Sequence, residues 1–112
     1  MRLVAQDPQR NQSEIRFWCK VFHTRDSLVG AFCDKDLLDK DLEDDRLKIK
    51  VTKHFYGGVL VSEKVALKIM GRINVGNVIG DDIVGVAMKG GFITKENIVH
   101  IDGVPHAQFI KL

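Results

Sequence analysis

The chain has 112 residues, is 45% hydrophobic and 29% charged, and carries a formal net charge of +2. These figures fit one soluble globular domain that can bury a core without disulfide staples, and they exclude a fibrous or low-complexity chain. No apolar run approaches the ~18 residues of a membrane span, and the opening MRLVAQDPQRNQSE has early charge and no apolar h-region, so neither membrane anchor nor secretory leader is expected and a cytoplasmic location follows.

The charge is unevenly distributed. Residues 34–45 hold seven acids and two lysines, whereas residues 46–55 hold four bases and no acid. Such a chain can show one basic face to phosphate while staying nearly neutral, or both runs can simply be solvated faces.

In chain order, residues 1–14 are polar and aperiodic and are expected to form a flexible extension, leaving residues 15–112 as the folded domain. Residues 15–22 favour a strand, with Ile15, Phe17, Cys19 and Val21 on one face and Arg16, Trp18, Lys20 and Phe22 on the other. Both faces carry apolar groups, so both are expected to be partly covered. A turn at residues 23–27 leads into a returning strand, residues 28–33. A turn centred on Asp26 would set Cys19 opposite Cys33, either as two small buried residues or as a cross-strand disulfide. The absence of a Cys-x-x-Cys pair excludes a zinc ribbon.

Asp34 is a suitable N-cap for a short helix over residues 35–42, with Leu37, Leu38 and Leu42 as its apolar stripe. Residues 46–51 alternate: Leu47, Ile49 and Val51 are expected inward, and Arg46, Lys48 and Lys50 outward, about 7 Å apart along one strand face. Lys53 and His54 extend this row. Phe55, Tyr56, Gly57 and Gly58 suggest a tight turn where backbone closely approaches a neighbour. Ser62 caps a helix from Glu63 to Met70 or Arg72. Residues 74–80 read as a glycine-punctuated loop, followed by a third helix over residues 83–89 capped by Asp81 or Asp82 and stopped by Gly90 and Gly91. Residues 94–97 form a capped turn. Two strands, residues 98–102 and 107–110, are joined at Gly103, Val104 and Pro105. The order ββαβααββ implies an α+β fold, a small mainly antiparallel sheet with about three helices.

Three chemistries are weighed. A phosphate loop fails: Gly76 and Gly80 are followed by Asp81, an acid where phosphate needs a donor. His100 and Asp102 share a strand face at i and i+2, and His106 could turn back towards them, giving a partial metal site or a hydrolytic base and orienter. No serine sits in a strained elbow, and two histidines with one carboxylate fall short of a structural zinc site. The bland alternative is that Asp102 fixes the turn and His106 bonds to backbone. The third candidate is a nucleic-acid surface in which Arg46, Lys48, Lys50 and Lys53 track phosphates, Phe55 and Tyr56 stack on unpaired bases, and His106 and Gln108 meet base edges. No helix carries a basic stripe, so DNA is not expected.

The Phe55-Tyr56-Gly57-Gly58 turn, the Asn77-Val78-Ile79-Gly80 segment with its following helix, and the hexapeptide Gly103-Val104-Pro105-His106-Ala107-Gln108 together resemble an archaeal family, the domain of unknown function four-two-four. The resemblance runs from about Ile15 to Ile110. It implies an archaeal cytoplasmic protein from a heat-adapted organism and supplies no activity; translation or RNA handling is an association only. The sequence reading is therefore a non-enzymatic RNA-binding protein, attached to the ribosome or to translation, that needs no cofactor or metal and takes RNA, such as ribosomal RNA, as its partner. The alternative is a small metal-dependent or hydrolytic enzyme using His100, Asp102 and His106.

Overall fold

The computed structural model describes residues 16–112; the expected N-terminal extension lies outside the described residues. Eight strands and three helices follow in order: β1 Arg16–His23, β2 Leu28–Asp34, β3 Asp41–Glu43, β4 Lys48–Lys50, α1 Lys53–Tyr56, β5 Val59–Ser62, α2 Glu63–Met70, β6 Val75–Ile79, α3 Asp81–Lys89, β7 Val99–Ile101 and β8 Val104–Ile110. Six strands form one sheet in the order β5-β1-β2-β6-β8-β7, and β3 and β4 form a separate ribbon. Within the large sheet β2 and β6 run parallel and every other pair is antiparallel. The fold is α+β with a mostly antiparallel, mixed sheet.

The sheet is covered on both faces. On one, Phe17, Cys19, Phe32, Val78, Ala107 and Phe109 pack against Ala66 and Met70 of α2 and Ile83, Val84 and Ala87 of α3. On the other, Ala31, Cys33, Ile79 and Ile101 pack against Leu42, Val51 and Tyr56 from the ribbon and α1. Each fully buried large side chain of this kind is worth about 1.5–3 kcal/mol relative to exposure. This two-sided burial explains why β1 alternates without a polar face: Phe17 and Cys19 serve the first core, and Trp18 and Phe22 flank the second.

The structure corrects several expectations. The helix over residues 35–42 does not form. Residues Lys35–Leu37 make a single 3-10 turn, Asp39 follows at φ 70°, and Leu42 enters the second core from β3. The reason is that Asp34 caps a different helix. Its two carboxylate oxygens accept from the backbone N–H groups of Asp82 (3.0 Å) and Ile83 (2.8 Å), at the start of α3. Neither Asp81 nor Asp82 is that helix's cap; Gly80 is, at φ 124°, with the Asp34 carboxylate where a Cβ would stand.

The expected loop over residues 74–80 is instead the central strand β6. Gly76 is there because the Phe109 ring lies across it and leaves no room for a Cβ. The β7–β8 connection is the two-residue turn Asp102-Gly103, with both residues at positive φ (54° and 78°), so Val104 and Pro105 already belong to β8. Leu47 lies in the ribbon's turn and is exposed rather than inward.

The β1–β2 hairpin closes on His23 and Leu28, which sets Trp18 opposite Cys33 and Cys19 opposite Phe32. One residue of register moves a side chain to the other face. The two cysteines therefore sit in separate cores, both free and buried.

Candidate functional site

Of the expected cation row, Lys48 and Lys50 share one face of β4, whereas Arg46 lies in the ribbon's turn and Lys53 in α1, and the two strand lysines are not alone on that face. Asp41 pairs with Lys50 and Glu43 with Lys48 in the β3–β4 register, so each lysine has an acid beside it on the same face. Lys53 lies 3.4 Å from the Asp39 carboxylate, and Arg46 lies 3.8 Å from that of Asp44 while donating to the His100 carbonyl at 3.3 Å. The acidic and basic runs of the sequence thus fold back onto one another. Exposed pairs of this sort contribute little stability, about 0–1 kcal/mol, but they reduce the positive potential the row alone would project.

The aromatics divide as well. Tyr56 is buried, and burial pushes its hydroxyl pKa up, with Cys33 adding to the effect. Phe55 is half-buried, stacked on Phe22 at 5.5 Å and edge-on to Tyr56 at 4.9 Å. Thr52 caps α1 by accepting from the Phe55 N–H, which makes the expected tight turn a single helical turn. The close approach expected at the glycines is real: a Cβ on Gly58 would strike the β1 backbone at Cys19 and Lys20.

His106 and Gln108 do share a face of β8, and the sheet register shows what joins them. Across four strands, Lys20, Ala31, Asn77 and Gln108 stand in one row. A neighbouring row holds Phe22, Val29, Val75 and Ile110, and on the other side Cys33, Ile79 and His106 are aligned. The ribbon and α1 cover the Cys33–Ile79 end of this face, and the Gln108–Ile110 end is open, with Ile110 63% exposed. Asn77, His106 and Gln108 make no side-chain hydrogen bond to any described residue. The exposed side chains of Asn74 and Asn97 are engaged by contrast: Asn74 accepts from the Leu28 N–H at 2.8 Å, and Asn97 closes the capping box over Thr94. Burial holds the His106 pKa below its ordinary value, so the ring is neutral at neutral pH. Lys20 borders the row, its Nζ donating to the His54 carbonyl at 2.7 Å and lying over the Phe22 ring at 5.3 Å.

Sequence reasoning missed Asn77, Lys20 and Phe22. Asn77 was hidden by the glycines that made β6 look like a loop; the alternation of Val75, Asn77 and Ile79 was the signal available.

His100, Asp102 and His106 do not converge. His100 pairs with Pro105 and His106 with Val99, which puts the two histidines on opposite faces. Asp102 is spent on the turn: its carboxylate accepts from the Glu43 N–H at 3.3 Å, and its own N–H donates to Asp44 at 3.0 Å. Among the described residues no group of three or more His, Cys, Asp or Glu side chains is placed to hold a metal ion. A cavity of about 330 Å³ opens beside Asp34, Asp36, Asp81 and Asp82, away from the expected site residues. No helix among the described residues is long and apolar enough to cross a membrane.

A mixed six-stranded sheet with two helices on one face and a ribbon and short helix on the other defines the fold class of this protein. Residues 22–112 match the model of the family described as Protein of unknown function (DUF424), and the chain belongs to that family. It is also similar to a solved structure described as "Crystal structure of an uncharacterized conserved protein from Methanopyrus kandleri", at 25% identity and a TM-score of 0.73, covering 87% of this chain and 94% of that one. No curated protein matches the chain.

Proposed function

We propose that this protein is a non-enzymatic RNA-binding protein of the cytoplasm, serving the ribosome or translation. The observation that carries the reading is the sheet face, open at its Gln108–Ile110 end, on which Asn77, Gln108 and the half-buried His106 keep their side-chain hydrogen-bonding groups unspent, with Lys20 and the Phe22–Phe55 pair at its margin. Uncharged donors and acceptors beside apolar and aromatic surface suit the edges and planes of unpaired bases. Arg46, Lys48 and Lys50 supply cations on the adjoining ribbon and Lys53 one on α1, and their neighbouring acids temper indiscriminate attraction to phosphate.

A filter-binding titration with ribosomal RNA over a salt series tests this. Micromolar or tighter association that weakens with salt is expected, and no association at low salt overturns the reading. Co-sedimentation with ribosomes tests the narrower assignment to translation.

A further inference from the structure

We infer that the open half of the sheet face is an adenine-reading surface, on which the side-chain amides of Asn77 and Gln108 take the edges of adenine bases in unpaired RNA. The inference rests on the RNA-binding reading above and gives it a base identity.

Asn77 and Gln108 are direct partners in the β6–β8 register, and such pairs hold their Cβ atoms about 4.5–5.5 Å apart on one face. Each amide offers one carbonyl acceptor and an NH2 donor, and neither is used within the described structure. The pair is a small array of alternating donors and acceptors with no net charge.

Adenine is the base such an array fits on two sides. Its N6 amino group donates beside a ring-nitrogen acceptor on both the Watson–Crick and the Hoogsteen edge, and an Asn or Gln amide meets either one bidentately. Guanine presents two adjacent donors on its Watson–Crick edge, which call for a carboxylate, yet no Asp or Glu stands on this face of any of the six strands. Its Hoogsteen edge presents two acceptors, which call for Arg or Lys, and the lysine bordering the row, Lys20, is tied to the His54 carbonyl. The pyrimidines match a single amide on one edge only. They also cover less of the apolar strip formed by Val29, Val75 and Ile110, where the plane of a purine would lie. His106, next to Gln108 on β8 and neutral through burial, adds no charge that would favour phosphate over base.

The experiment is fluorescence anisotropy with end-labelled single-stranded octamers of A, C, U and a G-containing mixed sequence, alongside ribosomal RNA, at one fixed salt concentration. Wild type is expected to bind the adenine octamer about tenfold or more tighter than the pyrimidine octamers, the discrimination one good bidentate contact supplies. The variant Gln108→Ala, at an exposed position, should lose most of that preference. Gln108→Glu, which replaces the amide donor by a second acceptor, should move the preference towards the G-containing octamer. Unchanged thermal melts for both variants would show that they fold. If wild type binds all octamers equally, or keeps its preference without the Gln108 amide, adenine reading is overturned and RNA binding stands. If neither octamers nor ribosomal RNA bind, both readings fall.

Discussion

Asp34, at the end of β2, accepts a 2.8 Å hydrogen bond from the backbone N–H of Ile83, 49 residues later in the chain. With the bond from Asp82 it satisfies two of the donors left open at the start of α3, a service normally rendered by the residue just before a helix. Removing it by Asp34→Ala should destabilise the protein by about 1–2 kcal/mol, the usual worth of a lost N-cap, measured as a fall in the urea midpoint. Burial, the largest effect, pushes the Asp34 pKa above its ordinary value, with the two N–H donors opposing and Asp82 and Asp81 adding to the rise. A raised folded value means that the folded protein binds this proton more readily than the unfolded chain, so the advantage of wild type over Asp34→Ala should widen as pH falls from neutrality into the carboxylate range.

Asp44 titrates in the opposite sense. The Asp102 N–H first, then the Arg46 N–H, hold its carboxyl below the usual range against desolvation, and the Leu47 N–H and the Arg46 charge add smaller effects in the same lowering direction. A depressed folded value makes its contribution complete above the unfolded pKa of about 3.9 and lost as pH falls through the folded one. Asp44→Asn should therefore melt below wild type at neutral pH, with the difference closing as acid protonates Asp44. Thermal melts of the two proteins across a pH series would show it.

Gly76→Ala places a methyl group against the Phe109 ring. Overpacking of this kind costs about 1–3 kcal/mol. The double variant Gly76→Ala with Phe109→Leu should recover part of that loss, because the colliding ring is gone. Non-additivity in a double-mutant cycle by chemical denaturation is the measurement.

Cys19 and Cys33 should resist a thiol-specific reagent in the native protein at pH 8. Burial pushes their pKa values up to about 11 and about 12, the latter with help from Asp34, and the thiolate is the reactive form. Labelling is expected only as fast as the chain unfolds, and both thiols should react promptly in denaturant.

Neutralising the acids that flank the ribbon lysines should strengthen RNA association. Asp41→Asn with Glu43→Gln removes the partners of Lys50 and Lys48, and tighter binding with a steeper salt dependence is expected in the filter-binding assay.

Much of this fold is legible in the sequence where its cause is local. β1 and β2 show in their apolar content, α2 in Ser62 and its apolar spacing, and the 95–97 turn in its Thr94–Asn97 capping box. The misreadings share a different origin. Asp34 looks like a cap for the residues beside it, and Gly76 and Gly80 look like loop punctuation, yet each answers to a group brought in from far along the chain: the start of α3, the Phe109 ring and the Asp34 carboxylate. The site follows the same division. His106 and Gln108 could be picked out as neighbours at i and i+2 on a strand, but Asn77 joins them only through β6–β8 pairing, and the acids opposite Lys48 and Lys50 only through the ribbon.

The parallel pairing of β2 with β6 also sets the order in which the molecule can close during its own synthesis. When β1 and β2 have emerged, they can pair with each other, but the far edge of β2 must wait until Val75–Ile79 follows. Over that interval an apolar strand edge is open to any other chain. The residues that follow β2, from the Lys35–Leu37 turn through the charged ribbon to α2, are the ones made in that gap. Their acids and lysines keep the unfinished sheet in company that aggregates poorly.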